Sequence, residues 1–307
     1  MKQLIVNADD FGYTLGVNRA IVEGYRNGII TSTSLLANGA AFDDAVERAR
    51  VERAKGEPGL DVGCHLNLVE GAPVSPPEAI PHLVGADGKF HRLRNLALRL
   101  AAGMVPAAEL ERECSAQVEK LLQAGIAPSH LDTHQHTHLH PRVAAVVARV
   151  ARRYSIGWVR RPFENFRIPE SGESAVRRLA GWTLALLAPG FDRRMTAEGI
   201  RTTDYFTGFS LTGRWTLLAM QRTVAGLPEG ITELMCHPGY CDADLEASPT
   251  QLKREREVER QILVQPDWRA RIGESGVVLR GYREIGTGPV RASQDGLLAS
   301  ALPASGK

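Results

Sequence analysis

The sequence predicts an α/β fold, a (β/α) barrel that is irregular or seven-stranded. Three observations point there. β-type and helical runs alternate along the chain, in roughly seven successive units, the pattern of a parallel sheet with helices outside. The first β-type run leads into ADDFGYTLG, which puts carboxylates where an open dinucleotide-binding sheet needs G-x-G-x-x-G. Four apolar runs end in polar residues: NADD, GCHLN, DTHQH and MCHPG. A parallel barrel gathers such strand ends at one rim.

The elements follow in order. Residues 3–8 read as a short strand ending on Asp9 and Asp10. Residues 17–27 have helical spacing and stop near Gly28; 29–36, rich in Ile, Thr and Ser, read as a second strand. A charged helix is expected over 40–55, a third strand over 60–68 and a helix over 107–123 closed by Gly125. Residues 130–136 read as a fourth strand and 143–154 as a helix. Further strands are expected at 157–161, 205–209 and 231–237, with helical patterns between them. The stretch 71–92 holds four prolines and no periodicity, long for a connector, and reads as a lid or substrate loop. One domain is expected over 1–290, with a disordered Ala-, Ser- and Gly-rich tail over 291–307.

Composition excludes several classes. The 307 residues are 43% hydrophobic and 23% charged with net charge +2, an ordinary globular balance. The charge is too even, and the aromatics too few at 6%, for a nucleic-acid surface. Cys64, Cys114, Cys236 and Cys241 form no C-x-x-C pair. The apolar run before Asp9 is too short for a signal peptide, and no stretch suits a spanning helix. A cytoplasmic protein with reduced thiols is expected.

The chemistry concentrates at the strand ends. Adjacent strand residues point to opposite sides, so Asp9 and Asp10 should take different jobs, one on a metal and one beside it as a base. The plain alternative is helix capping. His65 would be a core histidine but for Asn67, two residues on and on the same face. HLDTHQHTHLHP, residues 130–141, holds five of the nine histidines. On a continuous strand Asp132, His134 and His136 would share a face, leaving His138 and His140 to the loop before Pro141. His237 precedes Pro238 and Gly239 at a strand exit, a place suited to proton transfer near neutral pH. Two carboxylates and several imidazoles at one rim make a metal-site constellation.

Five pieces together resemble the YdjC-like (ChbG/HpnK) carbohydrate deacetylase family. They are IVNADDFG, ITSTSLLANG, VGCHLNL, HLDTHQHTHLHP and ELMCHPGY, in order from residue 5 to 240. The resemblance implies a (β/α) barrel holding one divalent metal, zinc by preference, with magnesium or manganese as alternatives. It implies Asp10, His65 and His134 as ligands, Asp9 as general base and His237 as proton donor. Asn67, Asp132 and His136 are the expected substrate-binding or supporting residues. The implied reaction removes the N-acetyl group from an N-acetylglucosamine-type sugar. The HpnK branch implies an N-acetylglucosaminyl hopanoid lipid; soluble chito-oligosaccharides are the runner-up. RRLAGWTLALLAPGFDRR, residues 177–194, has an apolar run between paired arginines. That pattern suits contact with the inner face of the membrane, or simply a buried helix with solvated ends. A homodimer is compatible with the sequence.

Other readings are weaker. A glycosidase needs two carboxylates across a sugar and leaves the histidines unexplained. A two-metal phosphoesterase wants more bridging carboxylates. A sugar- or metal-binding module predicts bound ligand without acetate release.

Overall fold

The computed structural model describes residues 1–56, 59–165 and 186–285. Within them run seven strands: β1 (Lys2–Phe11), β2 (Ser32–Leu35), β3 (Asp61–Leu66), β4 (Leu131–Thr133), β5 (Tyr205–Thr207), β6 (Gly230–Cys236) and β7 (Val277–Leu279). Every pairing is parallel, in the order β4-β3-β2-β1-β6-β5, with β7 added on β1. β1 is central. Its first residues pair β7 at Lys2, Gln3 and Leu4, and its later ones pair β2 from Asn7 onward.

The fold is therefore α/β with a parallel part-barrel, and the described residues do not show a complete seven-strand barrel. Between β4 and β5 the ladder is carried by single bridges, Leu131 with Val159 and Trp158 with Arg201. The strand expected at 157–161 is reduced to these bridges. Pro162 follows at once and has no N–H to extend a ladder.

The helices lie largely where the spacing placed them. They are α1 (Leu15–Asn27), α2 (Phe42–Ala54), α3 (Leu93–Ala101), α4 (Ala107–Gln123), α5 (Pro141–Arg153), α6 (Ala188–Ala197), α7 (Leu217–Gly226), α8 (Ala243–Ala247), α9 (Arg254–Leu263) and α10 (Trp268–Glu274). Caps fix several starts. Thr14 accepts from the Val17 amide to open α1, and His140 accepts from the Arg142 amide ahead of Pro141 to open α5. No helix among the described residues is long and apolar enough to cross a membrane.

Side-chain alternation along β1 sets the layers. Leu4, Val6 and Ala8 join the main apolar core. Ile5 joins a smaller interior cluster with Trp158, Tyr282 and Ile285. Asn7 and Asp9 have the parity of Ile5, so regular pleating aims them inward. His130 stacks on Tyr282 with centroids 4.0 Å apart. A Cβ on Gly63 would come 2.3 Å from that ring, so only glycine fits there.

The stretch 71–92 is pinned rather than loose. Glu113 of α4 accepts from the Val74 and Ser75 amides, and Glu109 accepts from the His82 amide. A 3-10 turn at Pro77–Ala79 and a Val84–Phe90 bridge give it internal structure. The tail expected to be disordered, 291–307, and the first half of 177–194, residues 177–185, lie outside the described residues.

Candidate metal centre and active site

The site is built at the C-terminal ends of β1, β2, β3, β4 and β6. Its first feature breaks the alternation that the sequence suggests. The β1–β2 register shifts between Ala8 and Phe11, and Asp10 has φ +69°. A bulge with one left-handed residue rotates the next side chain. Asp10 therefore does not point away from Asp9, contrary to the alternation reading. Both carboxylates approach His65. Asp10, His65 and His134 bring one potential ligand atom each within 4.8 Å of one another, and Asp9, His65 and Asp132 do the same.

A second departure concerns 130–136. β4 ends at Thr133, and 134–139 is a 3-10 turn with Gln135 and His136 left-handed, both at φ 52°. The expected shared face of Asp132, His134 and His136 is therefore overturned. His134 reaches Asp10, Nδ1 to Oδ1 3.0 Å. His136 is turned against Phe206 and Phe209, centroids 5.8 and 5.4 Å away. His138 is locked between the Thr133 hydroxyl at 2.5 Å and the Arg160 carbonyl at 3.1 Å.

The donor set passes a test for a cation. Asp10 Oδ1 lies 3.4 Å from His65 Nε2 and 3.0 Å from His134 Nδ1, yet it is buried and has no hydrogen-bond partner. Three donor atoms thus face a common point without satisfying one another. Asp10 Oδ2 is held by Arg256 Nη2 at 2.5 Å. His65 Nδ1 meets Asp132 Oδ1 at 2.7 Å, which turns Nε2 toward Asp10. That is the carboxylate–imidazole pairing by which metal ligands are oriented. Burial alone would lower the His65 pKa, but the Asp132 charge and hydrogen bond, with the Asp10 and Asp9 carboxylates close by, lift it to about 10. His134 is raised the same way, Asp10 outweighing burial. Such surplus negative charge is what a divalent cation neutralises as imidazoles shed protons.

Asp9 sits in a different setting. Burial would raise its pKa, but Arg160 lowers it by charge and hydrogen bonding. Arg160 is fully buried and grips both Asp9 oxygens, Nη1 to Oδ2 2.7 Å and Nη2 to Oδ1 2.6 Å. It also meets Asp132 Oδ2 at 2.9 Å and Glu233 Oε1 at 2.8 Å. Burial lifts Glu233 to about 7 despite that contact. Asn7 and Ser34 complete the hold on Asp9 and Asp132. His237 Nε2 stands 4.0 Å from Asp9 Oδ2. Burial pushes the His237 imidazole down to about 4, so it is neutral at pH 7.

Two of the expected substrate-binding or supporting residues are engaged within the protein, Asp132 in the supporting role, against the ligand candidate His65. Asp132 is fully buried under His65 and Arg160. The Asn67 side chain spends its groups on a turn, accepting from the Val69 and Glu70 amides and donating to Asn38 Oδ1 and the Glu70 carbonyl. His136 is 8% exposed, beside Phe209 at the rim, which is 43% exposed. Sequence reasoning missed Arg160, Glu70, Arg256 and Glu259. Arg160 carried a signal, an arginine inside an apolar β-type run, WVRRPF. Glu70 lies 3.7 Å from His134 Nε2 and accepts from the Tyr13 hydroxyl. Nothing local distinguishes Arg256 and Glu259 from their charged neighbours in KREREVERQIL.

Fold and site together define a candidate divalent-cation centre at the rim of a parallel α/β part-barrel. The chain belongs to the YdjC-like protein family, whose model matches residues 3–274. A carbohydrate deacetylase of Geobacillus stearothermophilus is 36% identical over 285 residues, covering 92% of this chain and 98% of that protein. A human carbohydrate deacetylase is 33% identical over 295 residues, covering 90% and 89%. A crystal structure from Enterococcus faecalis V583, described in terms of cellobiose-phosphate cleavage, superposes with TM-score 0.70 at 27% identity. It spans 93% of this chain and 99% of that one.

Proposed function

We propose that this chain is a carbohydrate deacetylase, a hydrolase acting on a linear amide, and that it removes the N-acetyl group from an N-acetylglucosamine-type sugar. The observation that carries the reading is one rim holding two kinds of centre. Asp10, His65 and His134 present ligand atoms to a common point. Asp9 and His237 stand side by side for proton transfer. The relatives named carbohydrate deacetylases, aligned over nine-tenths of the chain, support it.

Asp10, His65 and His134 would hold the cation, and their one oxygen and two nitrogens suit zinc, with magnesium or manganese as alternatives. Such a cation supplies a charge sink for the amide oxygen and acidifies water. Asp9, kept ionised by Arg160, takes the proton of the attacking water. His237 is neutral at the start, so it gains its proton during turnover. Asp9 Oδ2, 4.0 Å from Nε2, is the nearest source. His237 then protonates the leaving amine, giving acetate and a free amino sugar. Asp132 orients His65, Asn67 shapes the turn that presents Glu70, and His136 with Phe209 offers a ring surface for a sugar.

The finer reading is a lipid-linked substrate, an N-acetylglucosaminyl hopanoid, met at the cytoplasmic face of the membrane. A groove of about 240 Å³ lined by Leu139, Pro141, Leu187, Phe191 and Arg194 supports it, with Leu186 81% exposed at its edge. Chito-oligosaccharides are the soluble alternative. Acetate release from both substrates, with cation reconstitution, tests the function. Asp9→Asn should keep the cation and lose turnover; full activity in that variant rejects the base assignment. Co-sedimentation with anionic liposomes tests the membrane contact: wild type should bind and Leu186→Glu with Leu187→Glu should not. Wild type staying in the supernatant rejects it.

A further inference from the structure

We propose that α9 is a positioning element of the active site: Arg256 fixes how Asp10 presents its carboxylate, Glu259 fixes His237, and one helix sets the spacing between them. This rests on the deacetylase reading of the site.

Six of the ten residues of the helix are charged, and its outer face takes Arg254 and Val258 into solvent. Arg256 and Glu259, three residues apart and so on one face, are 2% and 1% exposed. Each reaches a different half of the site. Arg256 Nη2 holds Asp10 Oδ2 at 2.5 Å and leaves Oδ1 facing the rings of His65 and His134. Glu259 Oε2 accepts from the His237 amide at 2.5 Å. The backbone closes the clamp: the Arg256 carbonyl accepts from the Gly239 amide at 3.1 Å. A Cβ on Gly239 would press on the Arg256 stem at 3.2 Å from Cβ and Cδ, so glycine lets the two backbones meet.

Packing alone does not call for these residues. Arg256 Nε and Nη1 and Glu259 Oε1 are buried with no hydrogen-bond partner among the described residues. A buried charge with unspent donors or acceptors costs stability, and an apolar pair would fill the space more cheaply. What the pair does accomplish is geometric. It selects one Asp10 oxygen, and it ties the loop carrying His237 to the same rigid turn.

The test uses the full chain loaded with zinc, in wild type, Arg256→Met, Arg256→Lys, Glu259→Leu and Glu259→Gln. Arg256→Met should lower kcat on the order of 10–100-fold, as loss of a ligand-orienting partner does. KM should stay within about twofold, because the group touches no substrate. Zinc content should stay at the wild-type level, because all three donors remain and a repelling cation is gone. Arg256→Lys and Glu259→Gln keep one donor and one acceptor and should recover most of kcat. If the Met and Leu variants fail to fold, this conservative pair still decides: both lowering kcat as far as an unrelated buried deletion overturns the proposal. Lost zinc in Arg256→Met, or a changed KM with kcat intact, also overturns it. The amide signal of His237 in a ¹⁵N spectrum is a readout independent of turnover. It should move in Glu259→Leu and Arg256→Met and hold in the conservative pair. If wild type releases no acetate, the deacetylase reading falls while that signal still reports whether the clamp exists.

Discussion

Replacing Arg160 by Met should be among the most damaging single changes outside the ligand set. The side chain is fully buried and holds three carboxylates, Asp9, Asp132 and Glu233. Removing it leaves them facing one another in a buried site. Glu233 yields most easily, since burial already lifts it to about 7. Asp9 and Asp132 do not. To protonate an aspartate of ordinary value 3.8 at pH 7 costs about 4 kcal/mol, which sets the ceiling per group. Relaxation and the protonated His65 lower the toll. The net loss expected for breaking such a buried network is about 3–5 kcal/mol. Total stability of a domain is only about 5–15 kcal/mol, so Arg160→Met should be marginally folded. Arg160→Lys keeps the charge but cannot span Asp9 bidentately, so it should fold and still lose turnover. Urea unfolding followed by circular dichroism gives the number. An Arg160→Met midpoint equal to wild type would refute the claim that this cation holds the carboxylates together.

Three further outcomes follow. Chelation should abolish acetate release, zinc should restore it, and His65→Ala and His134→Ala should lose bound metal by mass spectrometry; activity that survives chelation would exclude a metal role. Glu233 and Glu259 are both raised by burial to about 7 from an ordinary 4.5, so each contributes stability that is full below pH 4.5 and lost as pH rises through 7. Stability should therefore fall between about pH 5 and 8, by up to about 3 kcal/mol per group, and Glu233→Gln or Glu259→Gln should flatten that slope in urea titrations. Glu113→Ala removes the acceptor for the Val74 and Ser75 amides, so the 71–92 segment should become cleavable in limited proteolysis while wild type resists.

Helical periodicity made the outer layer legible, because burial of α4 and α5 follows the 3.6 spacing, whereas β1 is buried on both faces from Leu4 onward and shows as a continuous run. The four polar strand ends were legible because a parallel sheet aligns such ends, and the family resemblance then singled out Asp10, His65 and His134 among them. Their partners were not. Arg160 becomes a hub only because the chain at 158–160 lies beside β4, a long-range fact. Asn67 and Asp132 looked like rim residues by parity, but their hydrogen bonds are spent locally or on His65, which parity cannot reveal. Arg256 was hidden in a run where every neighbour is also charged.

The two failures of alternation share one cause. Asp10 at φ +69° and Gln135–His136 at φ 52° are non-glycine residues in the left-handed region; the first is a donor of the candidate metal centre and the pair directly follows another donor, His134. Regular pleating would send Asp10 to the face of Val6 and Ala8, into the apolar layer under the helices, where a carboxylate has no partner. The left-handed turn is what allows consecutive aspartates to serve one site. For a residue with a Cβ it costs about 1–2 kcal/mol. The cost can be measured apart from the chemistry. Asp10→Gly and Asp10→Ala both delete the carboxylate, but only glycine adopts this backbone freely. Asp10→Gly should therefore be more stable than Asp10→Ala by about 1 kcal/mol, the reverse of the usual order in regular structure. Asp10→Asn should keep the backbone, since asparagine tolerates this region, and lose only charge. Alanine proving as stable as glycine in urea unfolding would mean that the bulge is not what brings Asp10 to His65 and His134.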